Sequence, residues 1–185
     1  AKGLDFPMVT LVGVINADSS LNVPDFRSAE VTFGLLSQVS GRAGRSDLAG
    51  EVIIQSYNPE HYSINYAKHH DYYNFYKEEM SIRKTLNYPP YYYITLVNIT
   101  SRDYDLGFKE ANKIGEFLRK NLSGDTKILG PSMANVFRIN NVYHYQCIIK
   151  YKRDDKLNSV LTHIDNIYKI NNKVDVSIDV DPIRV

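Results

Sequence analysis

The chain has 185 residues, 43% hydrophobic and 23% charged, with a formal net charge of +1. That balance excludes a disordered tail, and the length allows one large domain or two small ones. A lone cysteine, Cys147, excludes a disulfide framework and a thiolate zinc cluster, and no run of 18 apolar residues is present to span a membrane.

The opening Ala1-Lys2-Gly3-Leu4-Asp5-Phe6 lacks an initiator Met and runs straight into a strand, which reads as a piece of a longer polypeptide. It carries no secretory signal pattern, so a cytoplasmic location is expected. Val9 to Ile15 is a continuous β-branched and apolar run, the pattern of a strand buried on both faces of a parallel sheet. Ala17 to Arg27 is polar, contains Pro24 and reads as a loop. A helix follows from Ser28 to near Arg42, with Phe33, Leu36 and Val39 at helical spacing. Glu51 to Tyr57 forms a second buried strand, so strand, helix and strand make a right-handed βαβ unit.

At the end of that helix stands Gln38-Val39-Ser40-Gly41-Arg42-Ala43-Gly44-Arg45. Two arginines, each following a glycine, suit polyphosphate. The guanidinium is permanently charged and matches phosphate oxygens with its planar fork, while glycine lets the backbone approach closely. An arginine against a γ-phosphate offsets charge developing in phosphoryl transfer. A solvated basic turn at a helix C-terminus is the competing reading.

Residues 60–84 read as one aromatic-rich helix with Tyr72, Phe75, Tyr76 and Met80 on its inner stripe. Asn87-Tyr88-Pro89-Pro90 breaks it and marks a domain boundary. Tyr91 to Thr100 is a strand, Tyr104 to Leu122 a helix, and Lys127 to Leu129 a short strand ended by Gly130-Pro131. Asn140-Asn141 signals a hairpin between runs 135–139 and 143–151. A helix carrying Leu157, Leu161, Ile164 and Tyr168 precedes the strictly alternating strand Val174 to Val180. The order contains the split βαβ pattern of α+β sandwiches. Residues 1–91 hold 8 Lys/Arg against 10 Asp/Glu and the remainder 14 against 11, a basic excess too slight to establish a nucleic-acid footprint unaided.

Several segments together resemble the primosomal protein N′ family of replication-restart DNA helicases. Ala1 to Pro7 with Val9 to Asp18 is similar to the tail of helicase motif V, and Gln38 to Arg45 matches the QxxGRxGR form of motif VI in superfamily 2. Asn22 to Glu30, Tyr57 to Ile64, Tyr88 to Tyr91 and Ile178 to Pro182 are similar to this family in particular. The resemblance covers nearly the whole chain. It implies an α/β fold in which residues 1–90 end a second RecA-like lobe built on a parallel sheet, and residues 91–185 form an S10-like α+β C-terminal domain.

The resemblance also implies roles. Arg42 and Arg45 would reach the γ-phosphate across a cleft, where removing such a group costs on the order of 10³ or more in turnover. Gln38, Gly41 and Gly44 would shape the nucleotide contact, and Gly3 and Asp5 would sit in the motif V loop; for Asp5 a turn or cap role competes. ATP and Mg²⁺ would need the first lobe, since no G-x-x-x-x-G-K-[ST] occurs here. The family's zinc-binding region is absent, so no metal site is expected. Expected partners are forked and single-stranded DNA, single-stranded DNA-binding protein and other primosome proteins.

Lys152, Arg153 and Lys156, beside Lys150, are candidates for an acidic partner tail, although Asp154 and Asp155 interrupt them and a solvated strand end competes. The tyrosine stripe of residues 72–76 could stack bases, with core packing the preferred reading. Two functional rivals stay open: a non-catalytic module docking DNA or single-stranded DNA-binding protein, and another superfamily 2 motor.

Overall fold

The first β-branched run forms strand β1 (Leu11–Val14), which pairs in parallel with β2 (Glu51–Ile54), Leu11 opposite Glu51 and Val14 opposite Ile54. The computed structural model describes residues 9–41, 50–170 and 173–182. Between the strands lie α1 (Asp18–Leu21) and α2 (Ser28–Ser40), so the polar stretch read as loop contains one short helix. The strands are not buried on both faces. Leu11 and Ile53 are 57% and 53% exposed, while Val14 and Ile54 pack on a core with Phe33, Leu36, Ile64 and Phe75. The described helices cover one side of this sheet only.

The aromatic-rich stretch is two helices, α3 (Tyr62–Lys68) and α4 (Tyr72–Leu86). The break has a local cause. His70 takes φ 53°, and the Asp71 carboxylate accepts the Asn74 N–H at 3.0 Å, capping the start of α4. The inner stripe of α4 also differs from the apolar one expected. Phe75, Glu79 and Arg83 are buried, while Tyr72 is 64% exposed and Tyr76 also faces water. Phe75 stacks on Phe33 of α2 with centroids 4.1 Å apart. By their contacts the residues fall into two units, Ala1–Arg83 and Lys84–Val185.

The second unit is built from β3 (Tyr93–Ser101), α5 (Tyr104–Asn121), β4 (Lys127–Ile139), β5 (Val142–Tyr151), α6 (Leu157–Tyr168) and β6 (Val174–Val180). Its strands pair antiparallel in the order β4-β5-β3-β6. β5 thus lies between β4 and β3, and β3 between β5 and β6, which is two interlocked split βαβ units. The runs read as separate strands around Gly130-Pro131 are a single strand, β4. It keeps pairing with β5 across register shifts at 129/132 and 133/138. Asn140 and Asn141 take φ 50° and 62°, the backbone of a type I′ hairpin turn.

Alternation places Val97, Ile99, Tyr145, Cys147 and Ile149 on one sheet face, where α5 and α6 close over them with Ile114, Leu118, Leu161 and Ile164. The Asp103 side chain accepts the Leu106 N–H at 3.0 Å and caps α5. Cys147 is fully buried, and burial pushes its thiol up to about 11, so it acts as a small hydrophobe. The chain is therefore a mixed α/β protein with one parallel two-stranded and one antiparallel four-stranded sheet. No described helix is long and apolar enough to cross a membrane.

Candidate functional site

The segment Gln38 to Arg45 begins in the last turn of α2. β1 and β2 are parallel, and α2 places Phe33 and Leu36 in the core against which Val14 and Ile54 pack. Gln38 lies exposed on the last turn, and the Gly41 N–H closes it on the Ser37 carbonyl at 3.3 Å. Arg42, Gly44, Arg45, Gly3 and Asp5 lie outside the described residues.

A buried charge network holds the other end of α2. Arg83 Nε donates to Glu79 Oε1 and its Nη2 to Glu30 Oε2 of α2, both at 2.6 Å, with the Phe26 ring 5.1 Å from the guanidinium. The Tyr62 hydroxyl donates to Glu79 Oε2 at 2.6 Å. Burial and the neighbouring Glu79 carboxylate push the Tyr62 phenol well up, so the O–H stays a donor. Two carboxylates, one guanidinium and one phenol thus tie α2, α3 and α4 together.

In the second unit two of the three basic candidates share a groove. Lys152 and Arg153 line a groove of about 540 Å³ with Tyr92, Gly124, Asp125 and Lys127. Lys152 and Lys127 lie 5.2 and 5.8 Å from the centre of the Tyr92 ring. Lys156 stands exposed at the N-terminal boundary of α6 without capping it and does not line the groove. Of the two interrupting acids, one is engaged elsewhere and the other pairs with the groove's own Arg153. Asp154 accepts the Thr126 hydroxyl at 2.6 Å and the Ser123 and Lys156 N–H groups at 2.9 and 3.1 Å, and Asp155 pairs with Arg153 at 3.0 Å.

Sequence reasoning singled out neither Tyr92 nor Lys127 for this groove. Nor did it single out the burial of Lys150, which is 5% exposed, donates to the Leu86 carbonyl at 3.1 Å and lies 3.4 Å from the centre of the Tyr88 ring. Burial, with a smaller push from Lys127, lowers its pKa. No local pattern marks the pair, because it is the register, Lys127 opposite Lys150, that joins them.

The interlocked βαβ sandwich belongs to a known class. A family model described as the primosomal protein N C-terminal domain matches residues 84–183, and the chain belongs to that family. Relatives match along the whole length. Replication restart protein PriA of Bacillus subtilis (strain 168) is 54% identical over 185 residues, 98% of this chain and 23% of that protein. The proteins of the same name from Synechocystis sp. (strain ATCC 27184 / PCC 6803 / Kazusa) and Chlamydia muridarum (strain MoPn / Nigg) are 41% and 38% identical, covering 100% and 99% of this chain and 22% and 24% of theirs. The chain thus spans less than a quarter of these relatives' length. Among solved structures, the de novo designed protein Foldit4 covers 50% of this chain and 99% of its own at 11% identity and a TM-score of 0.40, too distant to bear on fold or function.

Proposed function

We propose that the chain is part of an ATP-dependent DNA helicase that recognises and remodels stalled replication forks for primosome assembly and replication restart. One observation carries this reading: nearly every residue aligns with proteins named replication restart protein, the nearer of those described at 54% identity. In this reading residues 1–90 complete a second RecA-like lobe and residues 91–185 form an S10-like domain, in a cytoplasmic protein. ATP and Mg²⁺ bind between this lobe and a first lobe that supplies the P-loop.

Arg42 and Arg45 then meet the γ-phosphate when the lobes close, Gln38 relays that contact to the first lobe, and Gly3 and Asp5 flank the nucleotide. Gly41 and Gly44 let the backbone approach the phosphates. Zinc belongs to another part of the longer protein. The test is Arg42→Ala in the longer helicase: turnover should fall by about 10³ or more with DNA binding retained. Normal turnover would remove the role assigned to Arg42, and ATP hydrolysis by the 185-residue chain alone would overturn the two-lobe requirement.

The groove supports a second reading, a docking module for single-stranded DNA-binding protein. Lysines around an aromatic ring suit an acidic segment ending in an apolar side chain and a carboxylate, with Lys127, Lys152 and Arg153 as its cations. A peptide of that character should bind the chain and lose most of its affinity in Lys127→Glu/Lys152→Glu. Unchanged affinity would sink this reading alone.

A further inference from the structure

We infer that the crevice at the carboxyl ends of β1 and β2 is a receptor for an arginine side chain presented by a partner protein. In parallel α/β sheets ligands commonly bind beyond the carboxyl ends of the strands. Here that crevice holds about 240 Å³ and is lined by Ile15, Asn16, Asp18, Gln55, Ser56 and Tyr57. None of its described lining residues is among those assigned to the proposed nucleotide site.

Its loops are stapled together. Asp18 is buried, and its Oδ1 accepts the Ser56 hydroxyl while its Oδ2 accepts the Tyr57 N–H, both at 2.9 Å. The Ala17 N–H donates to the Gln55 carbonyl at 3.0 Å, the Asn58 N–H to Ser56 Oγ at 3.0 Å, and the Asp18 N–H to Asn16 Oδ1 at 3.0 Å. These bonds fix the backbone that presents Tyr57 and Ile15, which are 92% and 82% exposed. Two large apolar groups are thus held out in water on a rigid frame, where they add nothing to the core.

The chemistry of the lining selects the ligand. Among the described lining residues there is one acid, Asp18, and no Lys, Arg or His. The Tyr57 N–H, together with the Ser56 hydroxyl, holds the Asp18 carboxyl below its usual range against the opposing effect of burial, so it is charged at neutral pH. His61 is near enough to feel that charge, but burial lowers its pKa and leaves it neutral. A phosphate would meet a carboxylate and no cationic side chain among these residues.

A guanidinium meets complementary groups. A carboxylate offers about four lone-pair sites, of which the staples leave some unused. The Gln55 side-chain amide has no hydrogen-bond partner among the described residues and offers its carbonyl oxygen. The Tyr57 ring presents a face for a planar cation, and Ile15 covers the aliphatic stem. Arginine matches this set better than lysine, since its flat fork can stack and accept two acceptors together.

The test is an amide-shift NMR titration of the 185-residue chain with N-acetyl-arginine amide, N-acetyl-lysine amide and adenosine as probes. The arginine probe should give saturable shifts at Asn16, Asp18, Ser56 and Tyr57, with the lysine probe weaker. Tyr57→Ala keeps every staple and should weaken the arginine probe roughly fivefold through loss of the cation–π contact. Asp18→Asn should abolish it. No saturable shift with the arginine probe, equal binding by Tyr57→Ala, or shifts produced by adenosine in its place would each overturn the inference. None of these outcomes depends on Arg42 or on ATP turnover, so the proposed motor function stands or falls separately.

Discussion

Glu79 and Arg83 lie one turn apart on the inward stripe of α4, and either charge would be costly to bury alone. Together, with the Tyr62 hydroxyl and Glu30, they satisfy one another at 2.6 Å. A buried pair of this kind adds little net stability compared with apolar residues of the same shape, but breaking it leaves an uncompensated charge. Arg83→Ala is therefore expected to lower the unfolding free energy by about 3–5 kcal/mol, whereas Glu79→Gln/Arg83→Met, which removes both charges, loses clearly less. Urea denaturation of the two variants measures the difference. If Arg83→Ala stays within about 1 kcal/mol of the parent, the network does not hold α2 and α4 together.

At the scale of elements, β4 depends on one backbone position. Gly130 takes φ +92°, and a Cβ there would stand 2.6 Å from the Gln146 carbonyl oxygen and 2.9 Å from the Ser132 nitrogen. Both are backbone atoms paired within the sheet and cannot rotate aside. Gly130→Ala should destabilise the chain by about 2 kcal/mol or more, while Gly124→Ala, where a Cβ meets nothing within 4 Å, should be nearly neutral. Equal urea midpoints for the two variants would show that β4 tolerates a side chain at this bulge.

The same strand shows what sequence can and cannot carry. Gly130-Pro131 reads as a stop because local chemistry breaks a strand there, yet pairing with β5 continues past it. Likewise residues 68–71 are polar but hold no Gly or Pro to mark a break, and it is the Asp71 side-chain cap that starts a second helix there. The stripe of α4 misleads for a related reason, since a mutually neutralised pair occupies positions that periodicity reserves for apolar residues. Helices α2, α5 and α6, the Asn140-Asn141 turn and the alternation of β6 were legible, each being set by residues close in sequence. The groove was legible in part: Lys152 and Arg153 are neighbours, but Lys127 and Tyr92 reach it through sheet register and ring contacts.

The two units differ in how much structure each brings to its own stability. β1 and β2 pair over four residues each and leave Leu11 and Ile53 in water, and a two-stranded sheet of that length is marginal by itself and leans on the helices against one face. β3 pairs along its whole length with β5 and over seven residues with β6, and its Val97 and Ile99 are fully buried under two helices. Local opening free energies follow such contrasts in burial and pairing. Hydrogen exchange of the intact chain should therefore find the amides of Val97, Ile99, Cys147 and Ile149 in the slowest class. Those of Val12, Gly13 and Ile54 should exchange at least about a hundredfold faster, an opening free energy lower by ~3 kcal/mol. Equal protection in both sheets would mean that β1 and β2 open only with the four-stranded sheet, so that the chain unfolds as one cooperative body in spite of its two clusters of contacts.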